Sequence, residues 1–425
     1  MDIKNLVNCP CGYNHPHIDM KVEIGPGLLP KTADILNAKK FPHKILVVAD
    51  KNTLTASDGL LDVLTAGGFD YTLHCYENCI EADMPRVDEI EKLAADFGGV
   101  LAVGSGSIGD ICRLASFRAK KEFAIFATAP SMDGFAASAA PITINNFKET
   151  IPCHAPSVII GDTDILAKSP AELKSAGFGD IIAKYIALAD WKIAYLVAQE
   201  DYCDNIAQMV SDVLEKTMAL ADEVVLEDKA AAGAIMEALV LSGICITLAN
   251  NTRPVSAAEH LLSHYWEMKK LERGEPMPFH GAKVGVGTLL IAKLYHDIAD
   301  GKLGKPVFGK DDVDWEAIYT AYGPGFRADL DRLNNPPTTD LTSIAVLQKH
   351  WDDICRIIKE EIPPYDELLA LMKAARAITT IDGIQVDRQL AIDSLEFHPF
   401  MRNRIHLTRL LPMLGFRPDY GLYIE

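Results

Sequence analysis

Gly99-Val100-Leu101-Ala102-Val103-Gly104-Ser105-Gly106-Ser107-Ile108-Gly109-Asp110 is the stretch from which the fold is read. An unbroken apolar run of β-branched and aliphatic residues reads as a strand buried on both faces. The glycines then turn the chain sharply, and the apolar-periodic run from Ile111 to Lys121 continues as a helix. A strand, a glycine-rich turn and a helix in that order form a phosphate cradle, because the backbone amides and the helix N-terminus point at the same spot. Gly104, Ser105, Gly106 and Asp110 are therefore candidate contacts for a dinucleotide.

Working outward, short apolar runs alternate with helical ones from Met20 to about Pro170. Strands are expected at Val22–Ile24, Lys44–Ala49, Tyr71–Cys75, Phe123–Ala127 and Ser157–Ile160. Such alternation predicts an α/β fold, a Rossmann-like parallel sheet covered on both faces, with ligands at the carboxyl ends of its strands. Asp50 closes one strand, where a carboxylate suits a ribose hydroxyl or a helix cap. It precedes the glycine loop, whereas the usual ribose-binding acid follows it. As a ribose ligand Asp50 would favour NAD, since its charge repels the 2′-phosphate of NADP.

After Pro170 the strand pattern stops. Helical runs are expected over Glu172–Val197, Asn205–Leu220, Lys229–Asn250, Ser256–Arg273, Gly281–Asp300, Trp315–Tyr322, Leu341–Glu361 and Tyr365–Ala377. The chain thus divides into a nucleotide-binding α/β domain, residues 1–170, and an all-α metal and substrate domain, residues 171–425, with the ligand site in the cleft between them. Ala230–Ala249 is long and apolar enough to span a bilayer. Glu237 in its middle makes it a buried core helix instead.

Within the helical part, His260 and His264 lie at i and i+4, on one face of a helix. Gly274-Glu275-Pro276-Met277-Pro278 then turns the chain so that His280 returns to the same place. Neutral imidazoles are the commonest metal ligands. A third donor is expected at Asp180, directly after Gly177-Phe178-Gly179. Asp180, His260 and His280 form a set of three protein ligands that leaves a position open for substrate, suited to zinc, with nickel or iron as alternatives. A second group, Cys9, Cys11, His15 and His17, could hold a structural metal, although its spacing is shorter than in the usual zinc patterns.

Composition excludes some classes. A net charge of −18 argues against a nucleic-acid surface, which needs clustered lysine and arginine. Nine scattered cysteines fit free thiols in the cytoplasm.

Taken together, "GSGSIGD" (104–110), "TAPSMDG" (128–134), "GFGDIIAKY" (177–185), "RPVSAAEHLLSHYWE" (253–267) and "FHGAKVGVGT" (279–288) resemble the sn-glycerol-1-phosphate dehydrogenases. That family sits in the superfamily of iron-containing alcohol dehydrogenases, glycerol dehydrogenases and dehydroquinate synthases. The resemblance implies NAD or NADP as cofactor and one divalent metal on Asp180, His260 and His280. It further implies nucleotide contacts at Asp50, the glycine loop, Thr128 and Ser131, and places Asp133 beside the nicotinamide and substrate. Where the family has three consecutive glycines, Ser105 replaces the middle one. The implied reaction interconverts dihydroxyacetone phosphate and sn-glycerol-1-phosphate, with His264 relaying the proton and Arg253 with Ser256 receiving the phosphate. The alternatives are a glycerol or polyol dehydrogenase and a dehydroquinate-synthase-like lyase. The expected partner is a small phosphorylated triose or glycerol, with no nucleic acid and no membrane span, and a homo-oligomer is the expected assembly.

Overall fold

Six parallel strands form the sheet on which the first part of the chain is built. In the computed structural model, which describes residues 6, 9–78, 81–144 and 147–424, they are β1 (Lys21–Gly25), β2 (Lys44–Asp50), β3 (Asp70–Tyr76), β4 (Gly99–Gly104), β5 (Glu122–Ala127) and β8 (Val158–Asp162). Their order across the sheet is β3-β2-β4-β5-β8-β1. The chain runs outward from β2 to β3 and then returns to the other side of β2 as β4. The connection therefore reverses between β2 and β4, which is where open α/β sheets bind their ligands. The carboxyl ends of β2, β4 and β5 stand side by side there, carrying Asp50, the glycine loop and Thr128.

The apolar runs are continuous because both faces are covered. Ile45, Val47, Leu101, Val103, Ala124 and Phe126 pack on one side, against Leu36, Leu60 and Leu64 of the covering helices. On the other side, Leu46, Val48, Val100, Ala102 and Ile125 join a larger core that continues into the helical part without interruption. The sheet is thereby packed directly on the part of the chain that carries the histidines.

The helices that matter for the site are α1 (Lys51–Ala56), α2 (Gly106–Arg118), α3 (Ala171–Ile182), α4 (Lys184–Ala198), α5 (Asp204–Met218), α6 (Lys229–Ala249), α7 (Ala258–Arg273), α8 (His280–Ala299), α9 (Arg388–Phe397) and α10 (Leu407–Leu414). Four of these differ from the sequence reading. The expected run from Glu172 to Val197 is broken at Ala183 into α3 and α4. In the C-terminal hundred residues, α9 and α10 are additional helices. They pack behind the histidine helix α7, where Trp266 Nε1 donates to Ser394 Oγ at 2.8 Å and His398 Nε2 meets Thr408 Oγ1 at 2.9 Å. An antiparallel pair, β6 (Ala139–Ile144) and β7 (Phe147–Pro152), was also not anticipated, because Pro141 and Pro152 interrupt the β pattern; the turn between the two strands lies outside the described residues.

α6 has the length and hydropathy of a membrane span, but 78% of its most apolar window is buried inside the protein. Glu237 sits on its exposed side in an ion pair with Lys216. The apolar surface is core.

Candidate metal and nucleotide site

Close backbone packing of α3 on α8 brings the candidate metal donors together. A Cβ on Gly281 would lie 1.9 Å from the carbonyl oxygen of Ala176, and one on Gly177 would lie 2.0 Å from that of Pro130. Only glycine fits at either place. The first contact holds Asp180 against the start of α8, and the second presses the 128–134 loop of the sheet onto α3. His280 is the first residue of α8. Gly274, at φ +67°, ends α7 and lets the chain turn back to it.

The outcome is a cluster in which donor atoms of Asp180, His260 and His280 all lie within 4.8 Å of one another. His260 Nε2 is 3.5 Å from Asp180 Oδ1, and the His260 and His280 rings are 5.5 Å apart. Each imidazole is backed by a carboxylate. Glu259 lies 2.7 Å from His260 Nδ1, while Glu267 lies 3.4 Å from His280 Nδ1 and 3.2 Å from His264 Nδ1. With Nδ1–H donating to these acids, Nε2 is left with the lone pair a cation needs. Burial opposes charge on Asp180, yet Lys184 and the two imidazoles outweigh it and hold the carboxyl well below its usual range. Burial likewise works against a proton on His260, but hydrogen bonds to Asp180 and Glu259 prevail and push it up to about 9. A positive charge is what this donor set lacks, and a divalent cation fits it.

His264 is adjacent without belonging to the cluster. Its ring is 6.4 Å from that of His260 and 6.0 Å from that of His280, and a third of its side chain is open. Desolvation in the pocket pushes it down to about 4 despite the bond to Glu267, so it is neutral at neutral pH.

From the sheet side, the loop after β5 meets this cluster directly. The backbone N–H of Asp133 donates to Asp180 Oδ2 at 3.0 Å. Lys184 Nζ bridges the two acids, 2.8 Å from Asp133 Oδ2 and 2.9 Å from Asp180 Oδ1. Ser131 and Ser105 join hydroxyl to hydroxyl, tying this loop to the glycine turn, and Thr128 N–H donates to the Gly104 carbonyl at 3.1 Å. Gly106 opens α2 one residue later. The nucleotide candidates Gly104, Ser105, Gly106, Thr128 and Ser131 thus form one surface, with Asp133 at its junction with the metal donors.

Three expectations need correction or refinement. Arg253 is buried and turned elsewhere: its Nε donates to Glu200 at 2.8 Å, and its other nitrogens bind the same carboxylate and the Ile405 carbonyl, so its charge is already paired with Glu200 rather than offered to a phosphate. Ser256 offers its backbone carbonyl to Arg404 at 3.2 Å. Asp110 is 5% exposed and pairs with Arg113 at 2.6 Å, while Arg113 also holds the carbonyls of Gly134, Phe135 and Ala139. Asp110 therefore shapes the 134–139 backbone from behind the cradle. Asp50 caps α1, accepting from Thr53 N at 2.8 Å in a capping box.

Lys184, Glu259 and Glu267 were assigned no role from the sequence. The signals were present, since Lys184 stands four residues after Asp180, Glu259 immediately precedes His260, and Glu267 follows His264 by three.

A family model of iron-containing alcohol dehydrogenases matches residues 23–170. A glycerol-1-phosphate dehydrogenase [NAD(P)+] of Halalkalibacterium halodurans is 34% identical over 311 residues, 69% of this chain and 75% of its own. The corresponding enzyme of Geobacillus stearothermophilus is 33% identical, with 77% and 83% covered. This chain belongs to the glycerol-1-phosphate dehydrogenase family. A glycerol-1-phosphate dehydrogenase [NAD(P)+] of Methanothrix thermoacetophila is 30% identical over 65% of this chain and 77% of its own. Among solved structures, glycerol dehydrogenase from Schizosaccharomyces pombe shares the fold with a TM-score of 0.62 at 17% identity, covering 96% of this chain and 91% of its own. The NADH-dependent butanol dehydrogenase A of Thermotoga maritima does so at 0.61 and 14%, covering 97% and 99%.

Proposed function

We propose that this protein is a metal-dependent, NAD(P)-linked dehydrogenase that interconverts dihydroxyacetone phosphate and sn-glycerol-1-phosphate. The observation that carries the reading is the hydrogen bond from Asp133 N–H to Asp180, which joins the nucleotide surface to the donor set Asp180, His260 and His280. Asp180, His260 and His280 would hold a divalent cation, which would supply Lewis acidity toward a ketone oxygen, and the surface formed by the glycine turn, Thr128 and Ser131 would hold a nicotinamide dinucleotide, which would supply or accept the hydride. Glu259 and Glu267 keep the histidine rings in register for this. Lys184 fixes the Asp133 carboxylate at the edge of the reaction space. His264, anchored by Glu267 and neutral at working pH, is placed to pass the proton between substrate oxygen and solvent.

For the substrate phosphate, Arg402 replaces Arg253 as the proposed cation. Arg402 lies within electrostatic reach of His264 and Arg404, and no carboxylate forms an ion pair with it among the described residues. Arg332 nearby adds to the positive field, a setting that suits an anion.

The test is NADH oxidation by the purified, metal-supplemented protein with dihydroxyacetone phosphate against dihydroxyacetone. The phosphorylated ketone should be strongly preferred, and Arg402→Ala should raise its KM about tenfold or more while leaving that for dihydroxyacetone nearly unchanged, the loss of one charge-assisted contact. Equal effects on both substrates remove Arg402 from the phosphate site. Equal turnover of both by the unmodified protein makes it a polyol dehydrogenase, and turnover of neither contradicts the reading.

A further inference from the structure

A second set of soft donors lies outside this site, at the N-terminal strap. Cys9-Pro10-Cys11-Gly12 forms a tight turn, with Gly12 N–H donating to the Cys9 carbonyl at 3.3 Å, which brings two thiols side by side. His15 follows and is buried. The sequence offered His17 as the fourth member, but His17 is exposed. Its place is taken by Cys203, a residue remote in sequence that stands immediately before α5.

Four donors converge closely enough to share one cation. Donor atoms of Cys9, Cys11, His15 and Cys203 lie within 4.8 Å of one another. Cys9 and Cys203 sulfurs are 3.6 Å apart, and His15 Nε2 is 3.6 Å from Cys203 Sγ and 3.0 Å from Cys11 Sγ. Zinc bond lengths predict edges of roughly 3.8 Å between sulfurs and roughly 3.5 Å between sulfur and nitrogen. A disulfide needs about 2.05 Å between sulfurs, so the separation of Cys9 and Cys203 is that of two ligands rather than of a bond.

The surroundings point the same way. His15 Nδ1 lies 2.8 Å from the Leu248 carbonyl in the last turn of α6, a group with no partner inside its own helix. That bond fixes the tautomer with Nε2 aimed at the sulfurs. Asn205 Nδ2 donates to Cys9 Sγ at 3.1 Å, and the N–H of Ile206 in the first turn of α5 donates to Cys203. Donors of this kind favour thiolates, although burial on balance pushes the Cys203 thiol up to about 12.

We propose that Cys9, Cys11, His15 and Cys203 bind a structural zinc ion that fastens the N-terminal strap to the ends of α5 and α6. Three thiolates and an imidazole with no open position select zinc over harder cations, and mark the site as structural. The strap leads straight into β1, the edge strand of the sheet, so the ion would link the sheet to the helical part across a sequence separation of 194 residues. α6 in turn leads to the segment that precedes the histidine helix.

The test uses the full-length protein loaded with cobalt. Asp180, His260 and His280 supply no sulfur, so any thiolate-to-cobalt charge-transfer absorption belongs to the strap. The expected result is that band in the unmodified protein, together with zinc X-ray absorption of the native protein showing sulfur at about 2.3 Å. Cys203→Ser should lose most of the band, and Cys245→Ser, at a buried thiol outside the cluster, should keep it. Sulfur-free coordination in the unmodified protein overturns the inference, as does an undiminished band in Cys203→Ser. A Cys9–Cys203 disulfide in protein purified without air would also overturn it. A chain that shows the thiolate site yet does not oxidise NADH would leave this inference intact and remove the proposed reaction.

Discussion

At the scale of single residues, two acids show how one side chain serves both the fold and the chemistry. Asp50 caps α1 with one oxygen while standing at the strand end where a ribose is expected. Serine caps a helix about as well as aspartate but carries no charge. Asp50→Ser should therefore leave stability within about 1 kcal/mol of the parent and lower the KM for NADPH relative to NADH by roughly tenfold, the worth of one screened charge pair. An unchanged cofactor ratio would show that Asp50 is a cap alone. Asp190, fully buried on α4, accepts from Tyr295 Oη at 2.9 Å and from Leu407 N at 2.9 Å. Burial pushes its carboxyl up to about 7, only partly offset by the Leu407 N–H. Because the folded pKa lies above the unfolded one, its contribution to stability is complete below about pH 4 and is lost as pH rises through about 7. Urea unfolding of Asp190→Asn and the parent at pH 5 and pH 8 should show the variant gaining on the parent with rising pH, by up to about 3 kcal/mol. Parallel profiles would show that Asp190 does not titrate in this range.

At the scale of elements, the metal donors depend on how closely two helices approach. Gly281→Ala places a methyl against the Ala176 carbonyl, and backbone cannot rotate aside as a side chain can. Overpacking of this kind costs about 1–3 kcal/mol. The larger effect should be on metal affinity, because separating α3 from α8 separates Asp180 from His280. Calorimetric titration of the metal-free variant should show affinity lowered by at least about tenfold, as removal of supporting contacts does elsewhere; unchanged affinity would mean that the helix contact does not set the donor geometry. The same dependence explains what the sequence disclosed. Asp180, His260 and His280 were legible because ligand chemistry restricts residue type, and glycines and prolines mark the turns that bring them together. Arg253 was misread because its partner Glu200 lies 53 residues away, and nothing local distinguishes a paired guanidinium from an available one. Cys203 was invisible for the same reason, whereas His17 was merely near in sequence. Lys184 was legible in principle, since it stands four residues after Asp180 and pairs with it at 2.9 Å. The β6–β7 pair and the last helices escaped because prolines and short, mixed runs carry weak periodicity.

At the scale of the whole molecule, the sheet and the helical part share one continuous core, and the loop after β5 is hydrogen-bonded to the metal donors across the junction. Against a net charge of −18, Arg402 beside His264 stands out as a local positive group, which is why it is proposed to receive the substrate phosphate. The most direct test is a metal titration of chelator-stripped protein, following NADH oxidation by dihydroxyacetone phosphate. Activity should be absent before the cation is added, return with it, and stay absent in Asp180→Ala at the same concentrations. Full activity in the stripped protein, or in Asp180→Ala, would contradict a reaction centred on Asp180, His260 and His280.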